Sequence, residues 1–287
     1  MLKSFLPTRV LFFVLLVSVC IAAYAGLAVW KEQGQYANYA DLPSGLEGAI
    51  SLVIGLLLAF RANRAFERWW EARTLWGTLV NASRNLAVKA NNIVRRRDQD
   101  NVRFCELICA FSKVLKQHLR NSEAEKELAK VIADASKVAH PPSRLVNEMY
   151  GILENWKLQQ RIQYGEFRML DRELKVFLEV CGGCERIRNT PIAASYRVFL
   201  NHAIAVFLLT LPWGIVNEFG IWTIPVTFFT SYFIIATEGI AEHIEQPFQG
   251  KGDGLDLESI CAGIENSVVE IFSTNNDHLQ TSATGAS

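Results

Sequence analysis

Cysteines, histidines and carboxylates are the side chains most apt for chemistry, and this chain groups them in three places. Cys181-Gly182-Gly183-Cys184 has the CxxC spacing of redox and zinc sites. A redox CxxC belongs in a βαβ setting, whereas this one follows a helical pattern and precedes CERIRNTP. A zinc site needs a second Cys or His pair at ligand spacing, and the sequence supplies none. Structural thiols are therefore expected. Glu238, Glu242, His243 and Glu245 form a second group. The HExxH order of a metalloprotease is missing, so the expectation is a salt-bridged helix end. Gly250-Lys251-Gly252-Asp253-Gly254 is glycine-rich but lacks the GK[ST] of a P-loop and the Rossmann spacing. No Ser/His/Asp constellation can be assembled. Catalytic residues, cofactor and metal are all expected to be absent.

A fourth pattern is physical rather than chemical. Leu52, Leu56 and Phe60 stand at i, i+4 and i+8 and so share one helix face. Gly48, Ser51 and Gly55 are small enough to permit close helix contact. Spacing alone is compatible with plain packing or lipid contact. From spacing alone that plain reading is the favoured one; the other is a constriction, in which copies of the helix around an axis stack apolar rings that close by dewetting.

The elements carrying these residues are membrane elements. The chain has 287 residues, half of them hydrophobic and a fifth charged, which excludes global disorder. Lys+Arg and Asp+Glu both number 29, so no net charge draws it to nucleic acid, and no nucleic-acid partner is expected. Val10 to Trp30 is 21 residues without a charge, enough to cross a hydrocarbon core of about 30 Å as a helix. Its basic flank, Lys3 and Arg9, also fits a signal peptide, but the further membrane segments favour a retained helix. Leu46 to Phe60 is short for a span and continues into RANRAFERWWEARTLW without a breaker, so one long helix is expected to begin in the membrane and leave it. Ala203 to Val216 and Phe219 to Ala236 are two more apolar stretches, with the turn placed at Asn217-Glu218 and with Pro212 and Pro225 inside them.

Loop charges orient the spans. Lys3 and Arg9 precede the first, and Arg61, Arg64, Arg68 and Arg73 follow the second. The connection from Lys31 to Gly45 sets one Lys against Glu32 and Asp41. Four crossings of the cell membrane with both termini cytoplasmic satisfy the positive-inside rule. The roughly 130 intervening residues read as helical, with Arg95-Arg96-Arg97 at a helix end facing solvent or lipid headgroups. Pro141-Pro142-Ser143 opens a helix that carries Val146, Met149, Ile152, Leu153 and Trp156 at helical spacing. Leu170, Leu174, Phe177 and Leu178 repeat the pattern, and the tail from Ser273 reads as disordered. The expected fold class is all-α. The expected division is residues 1–80 (two membrane helices), 81–200 (cytosolic helices), 201–240 (two more membrane helices) and 241–287 (cytosolic segment and tail).

Three segments resemble one family. Phe60 to Trp76, FRANRAFERWWEARTLW, with Asn81-Ala82-Ser83-Arg84, is similar to the segment after the pore helix of bacterial bestrophin homologues. CERIRNT from Cys184, then Pro191-Ile192, resembles their CERIxxTPIP. EGIAEHIEQPF from Glu238 to Phe248 resembles the acidic E…EDPFG stretch, and Asp256-Leu257-Glu258-Ser259-Ile260 the LPLDAI after it. The three occur in family order and bracket residues 10 to 270.

The resemblance implies a homopentameric ion channel in membrane lipid, with four helices per subunit crossing the bilayer and one five-fold pore passing monovalent ions. It maps an apolar neck onto Leu52, Leu56 and Phe60, and a cytosolic aperture onto Ile192. Ala193 stands where the family usually has Pro, implying a less rigid backbone there. Gln249 to Gly254 lacks the acidic run that follows PFG in calcium-activated animal members, so the oxygen cage Ca²⁺ needs is missing. An apolar neck has no sign preference; the bacterial character of the motifs leans towards cations, while animal and plant members conduct anions. Two other readings are a membrane-bound redox or metal protein using Cys181/Cys184 or His243, and a non-conducting membrane scaffold.

Overall fold

A computed structural model describes residues 9–34, 43–95, 99–132, 138–250 and 254–284. Lys3, Arg96, Arg97 and Lys251 to Asp253, and most of the connection before Gly45, lie outside the described residues. The described residues contain helices and no strand. They are α1 (Arg9–Glu32), α2 (Ser44–Ile93), α3 (Gln99–Leu119), α4 (Ala124–Ala129), α5 (Pro141–Leu158), α6 (Tyr164–Asn189), α7 (Ala194–Phe219), α8 (Thr223–Glu245) and α9 (Leu257–Thr284). They gather into two compact units. One holds α1, α2 as far as Trp69, α7 and α8; the other holds the rest of α2, α3 to α6, residues 247–250 and α9.

In the first unit, α1, α7 and α8 pack mutually. Ile54 and Leu58 of α2 join Leu200, Ile204, Phe207, Leu208 and Leu211 of α7 in one apolar cluster. Ala28 and Val29 of α1 meet Val216 in another. The outward faces are apolar as well: Phe12, Phe13, Leu16, Phe229 and Phe233 are all more than half exposed. Large aromatic residues that gain nothing from exposure to water fit a hydrocarbon solvent. By length and composition, Leu11–Glu32, Gly45–Ile93 and Ala194–Glu245 are apolar enough to cross a membrane.

The last of these stretches is broken, and not where the sequence placed the break. Asn217 and Glu218 are helical, and α7 runs on to Phe219 before a 3-10 turn at Gly220–Trp222. Gly220 has φ +51, the left-handed conformation that ends helices and that glycine adopts without a steric penalty. Asn217 instead turns its amide to the Glu32 carboxylate, 3.0 Å from both oxygens. Pro225 falls in the first turn of α8, where a missing N–H costs nothing; only Pro212 is interior.

The second unit is organised around α3, which packs against α4, α5, α6 and α9. Phe104 and Phe111 are fully buried, ring to ring with Trp156 of α5 at 4.9 Å and with Phe177 of α6 at 4.8 Å. Helix α5 starts where the Pro-Pro pair predicts, and His140 caps it: the Ser143 N–H donates to Nδ1 at 3.1 Å. Met149, Leu153 and Trp156, and then Leu170, Leu174 and Phe177, are buried as their periodicity predicts; Leu178 is on the rim. The expected disorder from Ser273 is corrected, because α9 continues to Thr284. Once a helix is nucleated by packed turns, each further residue fixed gains a hydrogen bond, whereas nucleation fixes several for one.

Candidate functional site

Helix α2 has two opposed faces. At about 100° per residue, Ile54, Leu58, Arg61 and Ala65 fall on one side, and Leu52, Leu56 and Phe60 on the other. The first four are 6 % exposed or less, whereas Leu52, Leu56 and Phe60 are 75, 56 and 58 % exposed. The apolar stripe is thus presented outward from the chain. On the same arc it continues into Asn63 and Glu67. The Asn63 amide donates to Glu67 Oε1, and the exposed Arg64 Nη1 lies 3.0 Å from Glu67 Oε2.

One residue after Phe60, the buried face changes from alkyl to charge. The Arg61 side chain is 0 % exposed, with Nε 3.3 Å from Glu238 Oε1 and Nη2 2.7 Å from Glu245 Oε2. Glu245 is itself 1 % exposed; it also receives Arg197 Nη2 at 3.3 Å and the Ile192 backbone N–H at 3.2 Å, both on Oε1. Arg68 Nε donates to the Glu245 carbonyl at 3.3 Å. Buried charge is tolerable only when paired in this way. The acidic group expected to be a solvated helix end is therefore half right. Both Glu238 and Glu245 are salt-bridged, but Glu245 is buried and Glu238 partly so, and His243 accompanies them on α8 with Nδ1 2.9 Å from the Gly239 carbonyl.

Ile192 is half-buried, between the end of α6 and the start of α7. Its backbone is fixed by Glu245, and Ala193 after it has φ −51, ψ 126. Those angles are ones a proline would hold, so the backbone keeps the shape the family residue would impose.

Cys181 and Cys184 lie inside α6, 1 % and 0 % exposed, and neither is in a disulfide. Burial pushes the Cys181 thiol up to about 12 and raises Cys184 also, with Glu185 adding to both. Thiols held protonated are poor nucleophiles and poor metal ligands, which fits the structural role expected of them. Beside them, Gly183 admits Leu75, whose Cδ1 would stand 2.9 Å from a Cβ at that position.

Two groupings escaped the sequence. The Arg61–Glu245–Arg197 knot joins residues far apart in the chain; its only local trace is a charge directly after a long apolar run. In the second unit, His118, His140 and Glu185 bring three possible metal-ligating atoms within 4.8 Å of one another, and among the described residues only this trio does so. Where the acidic run after Pro247-Phe248 is missing, an arginine stands: Arg120 Nε donates to the Phe248 carbonyl at 3.1 Å and Nη1 to Glu258 Oε1 at 3.0 Å. Lys116 Nζ reaches Glu258 Oε2 at 2.6 Å. Gly250, at φ +64, leaves room for the guanidinium.

Comparison with known proteins gives a consistent result. The pattern of the family described as "Bacterial/Fungal Bestrophin protein" matches residues 2–270. A "voltage-dependent anion channel-forming protein" of Mesorhizobium japonicum is 31% identical over 258 residues, 88% of this chain and 82% of the relative. One of the same description from Synechocystis is 30% identical over 231 residues, 77% and 75% of the two chains. A crystal structure of a bacterial bestrophin homologue from Klebsiella pneumoniae, carrying a single substitution, superposes with TM-score 0.83 at 25% identity, covering 92% of this chain and 99% of that one.

Proposed function

The chain belongs to the bacterial and fungal bestrophin family, and on that premise we propose that it is a passive channel for small monovalent ions rather than an enzyme. Its subunits cross the cell membrane four times through α1, the first half of α2, α7 and α8, with both termini cytoplasmic. Five of them surround one pore. The observation that carries this reading is the outward stripe of Leu52, Leu56 and Phe60, opposite the face that α2 buries. Brought to a common axis, three apolar rings make a neck that water wets poorly.

Ile192 forms the second, cytosolic aperture. Glu245 ties it to the neck, because the same carboxylate holds the Ile192 N–H and the guanidinium next to Phe60. The relatives' names favour anions over the cation leaning of the motifs. The nearest charges on the neck face, Glu67 and Arg64, neutralise each other, so neither imposes a sign.

The test is current through purified protein in planar bilayers under a KCl gradient. A conductance that needs no substrate is expected, reversing near the chloride equilibrium potential. Reversal near the potassium potential reverses the sign assignment alone, and the absence of flux from folded, inserted protein overturns the channel reading.

A further inference from the structure

We propose that His118, His140 and Glu185 form a binding site for one first-row divalent transition metal ion, with Zn²⁺ the best match. His118 Nε2 lies 2.6 Å and His140 Nε2 2.8 Å from the same atom, Glu185 Oε1. The rings are 4.9 Å apart, centroid to centroid, and tilted by 59°. Two imidazole nitrogens and one carboxylate oxygen within 4.8 Å of one another are a donor set that Zn²⁺ takes with water in the fourth place. Side-chain exposures of 15, 37 and 25 % leave a path for a hydrated ion.

The three ligands come from three separate places: the end of α3, the cap of α5 and the body of α6. They are held there by other bonds. Arg188, one turn after Glu185 on α6, donates from Nη1 to the His118 carbonyl at 2.6 Å and to Asn121 Oδ1 at 3.1 Å. The helix carrying the carboxylate thus also fixes the backbone of the first histidine. Such support is what lets a site bind without first ordering its ligands.

Ligation has one local cost. His140 Nδ1 accepts the Ser143 N–H, so without metal its proton sits on Nε2, facing Glu185. To bind, the ring must move that proton to Nδ1 and give up the cap. The net charge is unchanged, and the lost cap weakens affinity about fivefold. Metal binding therefore exchanges a helix cap for a staple across α3, α5 and α6.

The test is titration of chelator-washed, full-length protein in detergent with Zn²⁺, followed by calorimetry and elemental analysis, with Co²⁺ absorption as a coordination probe. The wild type is expected to take up one more ion per chain than His118→Ala does, and His118→Ala and Glu185→Gln should each weaken binding by about tenfold or more. His140→Asn separates ligation from folding, because an asparagine oxygen can still cap Ser143 while the metal-binding nitrogen is gone. That variant should stay folded without metal and lose the rise in melting temperature that Zn²⁺ gives the wild type. Equal Zn²⁺ uptake and affinity in the wild type, His118→Ala and His140→Asn overturn the proposal, as does a wild type that takes up none.

Discussion

At the scale of single residues, buried charge does most of the positioning. Glu245 answers to Arg61, Arg197 and the Ile192 N–H at once. Glu245→Gln should destabilise, by less than the roughly 3–5 kcal/mol of a fully unpaired buried charge because Arg61 keeps Glu238, and should alter ion discrimination if Ile192 lines an aperture. Thermal melting and relative permeabilities read the two effects separately. Ile192→Ala is the complement: as an aperture residue it relaxes discrimination and spares the melting temperature, whereas as core it costs about 2–5 kcal/mol and leaves permeability ratios alone.

Glu258 gives a pH prediction. The hydrogen bond from Lys116 is the main influence and outweighs burial, so with Arg120 it holds the carboxyl below its ordinary value. A folded-state value below the unfolded one stabilises above the unfolded value and is lost as pH falls through the folded one. The difference in melting temperature between wild type and Glu258→Gln should thus be constant from pH 7 to about pH 5 and close below about pH 4. The side chain is 64 % exposed, so the difference is small.

At the scale of elements, α2 tests the channel reading directly. Replacing Leu52, Leu56 and Phe60 together with Ala should raise conductance, since smaller rings lower the dewetting barrier. Their exposure means that the single chain loses little packing. A folded, assembled triple variant that conducts like wild type removes these residues from the constriction. Arg64→Ala should leave Glu67 uncompensated and move the reversal potential towards that of cations.

The same helix shows what sequence could and could not disclose. Its continuity from Leu46 past Trp76 was legible because no breaker interrupts it, and its stripe because i+4 spacing is local. The break between α7 and α8 falls not at the polar pair Asn217-Glu218 but at Gly220, the residue type that meets positive φ at least cost. Asn217 was polar for another reason, its partner Glu32 on α1. Partners distant in sequence, such as Arg61 with Glu245 or His118 with His140 and Glu185, leave no periodic trace, so periodicity could not find them.

At the scale of the whole molecule, the proposed pore at a symmetry axis requires copies of the chain. Mass measurement with detergent subtracted should give five chains; one or two would leave no axis to enclose and refute the proposed assembly. The six cysteines form no disulfide within the chain.

Arg120 has a consequence for how such an assembly is governed. It fastens Phe248 and Glu258 with a positive charge that belongs to the chain itself and has no off-rate. A fastening of this kind stores no message. It has the same state in a resting cell and a stimulated one, so the turn at 247–250 is a fixed part and not a receiver. Conductance should accordingly be the same in EGTA and in millimolar calcium.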